Sequence, residues 1–115
     1  MSTLDELWAL ERKCWLAGRS YYERILHPAA VYAFPPPMGI FAGNDFVGSM
    51  GEEGPCTDVE MSDRHAAMQG DVAVLAYKGN GIMADGARIS HCTSTWVHMV
   101  DGWKLIGHHQ TPVDG

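Results

Sequence analysis

The chain has 115 residues, 46% hydrophobic and 19% charged, and its 14 acidic against 8 basic side chains leave a formal charge of −6. A charged share below the usual ~25% excludes a disordered chain, and the acidic balance is a poor electrostatic match for nucleic acid or an anionic membrane surface. The length is that of one domain, residues 1–115, and suffices to bury roughly two-thirds of the unfolded surface without a disulfide or metal staple.

Two helices open the chain. Thr3-Leu4-Asp5-Glu6 reads as a capping box, with Thr3 as N-cap and Glu6 reaching back. Leu4, Leu7, Trp8, Glu11, Cys14 and Trp15 then recur at helical spacing, and Gly18 supplies a stop. Ser20-Tyr21-Tyr22-Glu23 repeats the capping pattern for a short second helix that ends before Pro28. Val31-Tyr32-Ala33-Phe34 reads as a strand, closed by Pro35-Pro36-Pro37 because proline cannot donate to a ladder. Asn44 is positioned to cap one helical turn through Phe46 and Val47, and Gly48 to Pro55 reads as loop.

From there the pattern turns to β. Strand-like runs cover about 57–68, 72–84, 87–99 and 103–111, separated by Gly70-Asp71, Asp85-Gly86 and Asp101-Gly102. Such dipeptides are strong hairpin signals, so the four runs form an antiparallel meander. Gly79-Asn80-Gly81 inside the second run suggests a bulge and strong curvature. Helices followed by a meander describe an α+β fold: N-terminal helices packed on a curved antiparallel sheet, leaving a cone with an internal pocket.

Glu11 is the most informative residue. It lies three after Trp8 and four before Trp15, so a helix sets it on the same stripe as both indoles. A carboxylate there is costly unless paired, and one facing a cavity becomes an acid or base candidate. The competing reading puts Glu11 at the edge of the stripe, reaching water. His108-His109-Gln110-Thr111-Pro112 is the second candidate. Adjacent strand residues point to opposite faces, so the two histidines do not chelate one metal, and one of them faces the helices. Counted in twos, His108 goes with Ile106 and Gln110, while His109 goes with Trp103 and Leu105. Parity alone leaves open which face is interior. An interior histidine near Glu11 pairs with it and shuttles a proton, or simply holds helix to sheet.

Other chemistry finds no motif. His91 and His98 have opposite parity, and no H-x-H or H-E-x-x-H spacing occurs, so no metal or other cofactor is expected. Ser94 is outside any G-x-S-x-G, and Gly79-Asn80-Gly81 lacks the third glycine of a phosphate loop. Cys14, Cys56 and Cys92 are odd in number and lack C-x-x-C pairing, which points to a reduced, cytoplasmic setting. The acidic Asp5 and Glu6 argue against a signal peptide, and no apolar run reaches the ~20 residues of a membrane span. Trp8, Trp15, Tyr22, Tyr32, Phe34, Tyr77 and Trp96 are candidates for one aromatic-walled pocket, with Gln110 as a polar group. Met38, Met50, Met61 and Met68 suit either a pliable pocket or gap-filling.

These residues carry a resemblance. Leu7-Trp8-Ala9-Leu10-Glu11 through Trp15, the exit Phe34-Pro35-Pro36-Pro37, Val59-Glu60-Met61-Ser62-Asp63, Ser94-Thr95-Trp96, and Asp101-Gly102-Trp103-Lys104-Leu105 to His108-His109-Gln110-Thr111-Pro112 stand in family order. Together, over about residues 4–112, they resemble a bacterial family of unknown function, ending in an HHQTP-type motif, in the nuclear transport factor 2-like superfamily, which includes ketosteroid isomerase-like and SnoaL-like proteins. The resemblance implies a conical, cystatin-like fold with an internal pocket, and homodimers formed through the sheet. It also implies that Glu11, Trp15, His108 and Gln110 stand at positions kept polar or aromatic, whereas His109 stands where glutamine is more usual. Ketosteroid isomerase-like enzymes carry an aspartate where the first strand ends; this chain has Phe34-Pro35, so steroid isomerisation is not carried over.

Three functions follow as expectations. The first is a binder of a small apolar or aromatic organic molecule, walled by Trp8, Trp15, Tyr22, Tyr32, Phe34, Met38, Tyr77, Trp96 and Gln110. The second is an isomerase, dehydratase or cyclase using Glu11 and His108 as its acid/base pair. The third is a dimerisation scaffold whose cone is filled by its own side chains. The first two require an open void; the third forbids one.

Overall fold

The computed structural model describes residues 2–45 and 47–113. Helix α1 (Thr3–Leu16) and helix α2 (Arg19–Ile25) are followed by strands β1 (Leu26–Phe34) and β2 (Gly39–Ala42), and by a 3-10 turn at Val47–Ser49. Then come β3 (Asp58–Gln69), β4 (Val72–Met83), β5 (Gly86–Met99) and β6 (Gly102–Pro112). The six strands form one sheet in the order β2-β1-β6-β5-β4-β3.

The long strands lie where their pattern puts them. Each hairpin turns at a glycine with positive φ, Gly70, Gly86 or Gly102, a conformation only glycine adopts without steric cost. The meander β3–β6 is antiparallel throughout. The sheet as a whole is mixed, because β1 runs parallel to β6 and antiparallel to β2. Strand β2 has only four residues, too short for a period-2 signal between the proline run and Gly43.

Local details depart from expectation in instructive ways. The capping box of α1 is one residue earlier than expected. Ser2 is the N-cap, accepting from the Asp5 amide at 3.1 Å, while Asp5 takes the Ser2 amide. Ser2-x-x-Asp5 and Thr3-x-x-Glu6 both fit the pattern, and the first is used. Helix α2 is capped by Gly18 without a side chain, and Ser20 instead donates to Glu52 at 2.6 Å. Gly18 is a point of close approach rather than a left-handed stop: a Cβ there would lie 2.2 Å from the Glu52 carbonyl oxygen. The expected turn near Asn44 begins with the Val47 amide donating to the Asn44 carbonyl; Phe46 is outside the described residues.

The expected bulge at Gly79-Asn80-Gly81 is absent, since all three residues pair in regular register with β3. Those glycines serve packing instead. A Cβ on Gly79 would stand 2.7 Å from Cζ2 of Trp15, and one on Gly81 would stand 2.8 Å from its Cζ3. Irregularities fall elsewhere, between Ser62 and His65, between Leu26 and Val31, and opposite Thr95/Trp96. The last decides the inner face of β6. Thr95 pairs with Gly107 and Trp96 with Leu105, so Ile106 is an extra residue and parity changes there. Leu105 therefore shares the inner face with His108, not with His109, and His109 is exposed.

Helix α1 lies across the inner face and buries Leu7, Glu11, Cys14 and Trp15. Its solvent side is fixed by Arg12, which donates to the Val59 carbonyl at 2.7 Å and to Asp58 at 2.6 Å. Among the described residues no helix is long and apolar enough to cross a membrane.

Candidate functional site

Glu11 is fully buried, and its carboxylate takes three hydrogen bonds from the sheet. Trp96 Nε1 donates to Oε1 at 2.8 Å; Tyr77 Oη and Ser94 Oγ both reach Oε2, at 2.6 and 2.7 Å. Tyr77 in turn accepts from Trp15 Nε1 at 2.9 Å. The helix stripe that carries Glu11 between two tryptophans thus delivers a carboxylate to donors on β4 and β5. Such a charge is tolerated inside because every side of it is met by a donor. Burial, and next the negative charge of Glu11, push the Tyr77 phenol well above its ordinary value, so Tyr77 stays a donor. The same two causes raise the Cys14 thiol well above its ordinary value and the Cys92 thiol to about 12.

Ser94 extends the network toward open space. Its Oγ is also 2.7 Å from Nδ1 of His108, whose Nε2 is 2.9 Å from Oε1 of Gln110. Register explains the alignment. Tyr32, His108 and Ser94 pair side by side on β1, β6 and β5, and Gln110, Cys92 and Tyr77 form the next row. Glu11 and His108 are therefore connected through a serine, with Nδ1 and Oε2 3.9 Å apart.

His108 and Gln110 open on a cavity of about 680 Å³. Of the expected pocket residues, Trp15, Tyr22, Tyr32 and Phe34 line it, and Met38 stands at its rim, half exposed. Tyr22 donates to the Cys14 carbonyl and Tyr32 to the Gly43 carbonyl, which holds both rings as walls. The Phe34 ring lies 5.6 Å from the His108 imidazole. Trp8, Tyr77 and Trp96 are not among the lining residues. Tyr77 and Trp96 are buried behind the wall on Glu11, and Trp8 packs edge-on against Tyr77 under the Arg64 guanidinium. Glu11 too is behind the wall, so His108 is the group of the pair that meets the cavity.

Of the methionines open to either role, Met50 lines the cavity with Met38; Met83, Ser90, Leu105 and, at the charged part of the wall, Glu53 and Arg88 were not expected there. Met50 and Glu53 come from an irregular segment without periodicity. Ser90 and Ser94 had a usable signal: both share the even parity of Cys92 and Trp96 on β5. Met61 packs in the core beside Trp15, and Met68 is exposed. Among the described residues no three of His, Cys, Asp and Glu are gathered as a metal site would need.

A candidate ketosteroid isomerase from Parabacteroides distasonis superposes with a TM-score of 0.83 at 16% identity, over 98% of this chain and 89% of the other. The fold is nuclear transport factor 2-like. A protein of that fold from Cytophaga hutchinsonii matches with a TM-score of 0.72 at 16% identity, over 98% of this chain and all of the other. The association domain of C. elegans CaMKII matches at 0.70 and 17%, over 94% and 91%. Identities this low establish the shared nuclear transport factor 2-like, cystatin-like architecture and no activity. No family model and no curated protein matches the sequence.

Proposed function

We propose that this protein binds a small, largely apolar organic molecule in the cavity between its helices and its sheet. The observation that carries this reading is the cavity itself. Its volume of about 680 Å³ is within the ~300–1,000 Å³ of small-molecule sites, and aromatic, methionine and proline walls converge on His108 and Gln110. A scaffold filled by its own side chains has no use for such a void. Trp15 lines the wall, so tryptophan fluorescence reports occupancy. Titration with two-ring aromatic compounds should give a saturable, stoichiometric change, weakened in Met50→Trp, which narrows the space. Calorimetry showing no saturable binding across such a panel would overturn the reading.

A second reading, acid/base catalysis of the isomerase, dehydratase or cyclase type, is favoured by the chain Glu11–Ser94–His108. His108 would exchange the proton with the ligand, and Glu11 would act through Ser94. Its signature is exchange of a ligand C–H in D2O, followed by proton NMR, and lost in His108→Gln while binding persists. Binding without exchange favours the plain binder.

Two further parts of the proposal concern setting. The outer sheet face carries partly exposed Val72 and Val74, which supports pairing of two copies through the sheet, to be read by native mass spectrometry. Three free, buried thiols support a reducing, cytoplasmic compartment.

A further inference from the structure

The protons of the Glu11–Ser94–His108–Gln110 chain can be assigned from what each atom is able to do. An indole N–H only donates, so Tyr77 Oη accepts from Trp15 Nε1 and spends its own proton on Glu11 Oε2. Trp96 Nε1 likewise donates to Oε1. At the far end, Gln110 turns its amide oxygen to His108 at 2.9 Å, the placement in which Nε2 is the donor. Between them, Ser94 has one proton for two contacts of 2.7 Å. If it goes to Glu11, Nδ1 is protonated as well, and an imidazolium faces a carboxylate. If it goes to Nδ1, Glu11 must supply the proton that Ser94 accepts. In both arrangements Nε2 donates.

We propose that His108 Nε2 recognises the ligand by donating to an oxygen that carries no proton, a carboxylate or ketone oxygen on an apolar body, and that Ser94 is the positioning residue that ties the imidazole to Glu11 for this task. Gln110 Oε1 marks the place of that oxygen. Its side chain shares strand and face with His108, two residues on, and swings aside when a ligand oxygen takes over the donor. The inference rests on the cavity being a ligand site. It adds which end of the ligand is polar and which kind of polar group it is.

The test uses three probes of one shape: 2-naphthoate, 2-acetylnaphthalene and 2-methylnaphthalene, titrated against the intact protein. The two oxygen acceptors should bind about tenfold or more tightly than the hydrocarbon, as expected for a hydrogen bond made inside an apolar site. His108→Phe should bring the three within about twofold of one another. A stronger effect for the carboxylate than for the ketone would identify the imidazolium arrangement; equal effects would identify the neutral one, and both support the proposal. If all three bind equally well to the unaltered protein, the pocket stands and the inference falls. If none binds, the pocket reading falls and takes the inference with it. In protein labelled with 15N-histidine, His108 Nε2 should carry a proton, and a bare Nε2 overturns the assignment. Ser94→Ala should change the His108 nitrogen signals and narrow the probe preference, with Ser94→Thr restoring both. A purely structural Ser94 would lower the melting temperature and leave nitrogen signals and preference untouched.

Discussion

Gly79 lies directly beneath the indole of Trp15, close enough that a single added methyl would overlap Cζ2 at 2.7 Å. Pairing along β4 is undisturbed at this point, so the glycine serves the helix above rather than the strand around it. The ring it admits is the one that donates to Tyr77 and thereby aims the Tyr77 hydroxyl at Glu11.

Gly79→Ala should therefore destabilise the fold by about 1–3 kcal/mol, the usual cost of overpacking a filled interior. For a domain of this size that corresponds to about 4 °C of melting temperature per kcal/mol. Gly81→Ala should behave alike, because its Cβ would meet both Trp15 and the Cys56 sulfur at 2.8 Å. Gly48→Ala, which meets open space, is the control. Thermal melts that leave Gly79→Ala level with Gly48→Ala would contradict this packing.

Removing the acceptor at the centre should cost more. Glu11→Ala strands Tyr77 and Trp96 as buried donors and leaves Ser94 with His108 alone. With about 1–3 kcal/mol for each donor left without a partner, a loss of more than about 3 kcal/mol is expected. Glu11→Gln retains one carbonyl oxygen and should lose less. Since Glu11 and Ser94 share a bond, Glu11→Gln with Ser94→Ala should fall short of additivity by about 0.5–3 kcal/mol in urea melts. Strict additivity would mean that the 2.7 Å contact carries no coupling.

Stability should decline on the alkaline side. Burial first, and the Glu11 charge second, hold the Cys92 thiol at about 12 against an ordinary value of 9.0. Cys14 and Tyr77 are raised for the same reasons. A group whose value is raised by folding keeps its proton in the folded state while the unfolded chain loses it. Its contribution is complete below pH 9.0 and is lost progressively as the pH climbs toward 12. Urea midpoints should be level near neutrality and fall between pH 9 and 10.5, less steeply in Cys92→Ala. A midpoint unchanged at pH 10.5 would contradict the assignment.

The long strands and the stripe on α1 were legible because their signals are local. Asp85-Gly86 and Asp101-Gly102 force turns by backbone conformation, and Glu11 shows itself by interrupting an apolar stripe. What escaped is set by tertiary pairing. Strand β2 exists because β1 offers it an edge. The extra residue at Ile106 is invisible to counting in twos, and it alone moves Leu105 to the side of His108. The glycines of β4 looked like a bulge because nothing near them in sequence announces Trp15, more than sixty positions away. Ser94 matched no nucleophile motif, and its part became visible only when β5 set it between a helix carboxylate and a strand imidazole.

The parallel contact between β1 and β6 also sets an order of assembly. Strand β1 lies between β2 and β6, so Leu26–Phe34 cannot join the rest of the sheet until residues 102–112 have taken their place. Closing a loop of that span is entropically slow, and refolding should run on the millisecond-to-second scale of non-local β topologies. The same closing step sets Tyr32 beside His108, so the wall and polar head of the cavity come together in one event. In stopped-flow refolding, Leu105→Ala should slow folding if β6 docks in the rate-limiting step; an effect confined to the unfolding rate would place that docking later.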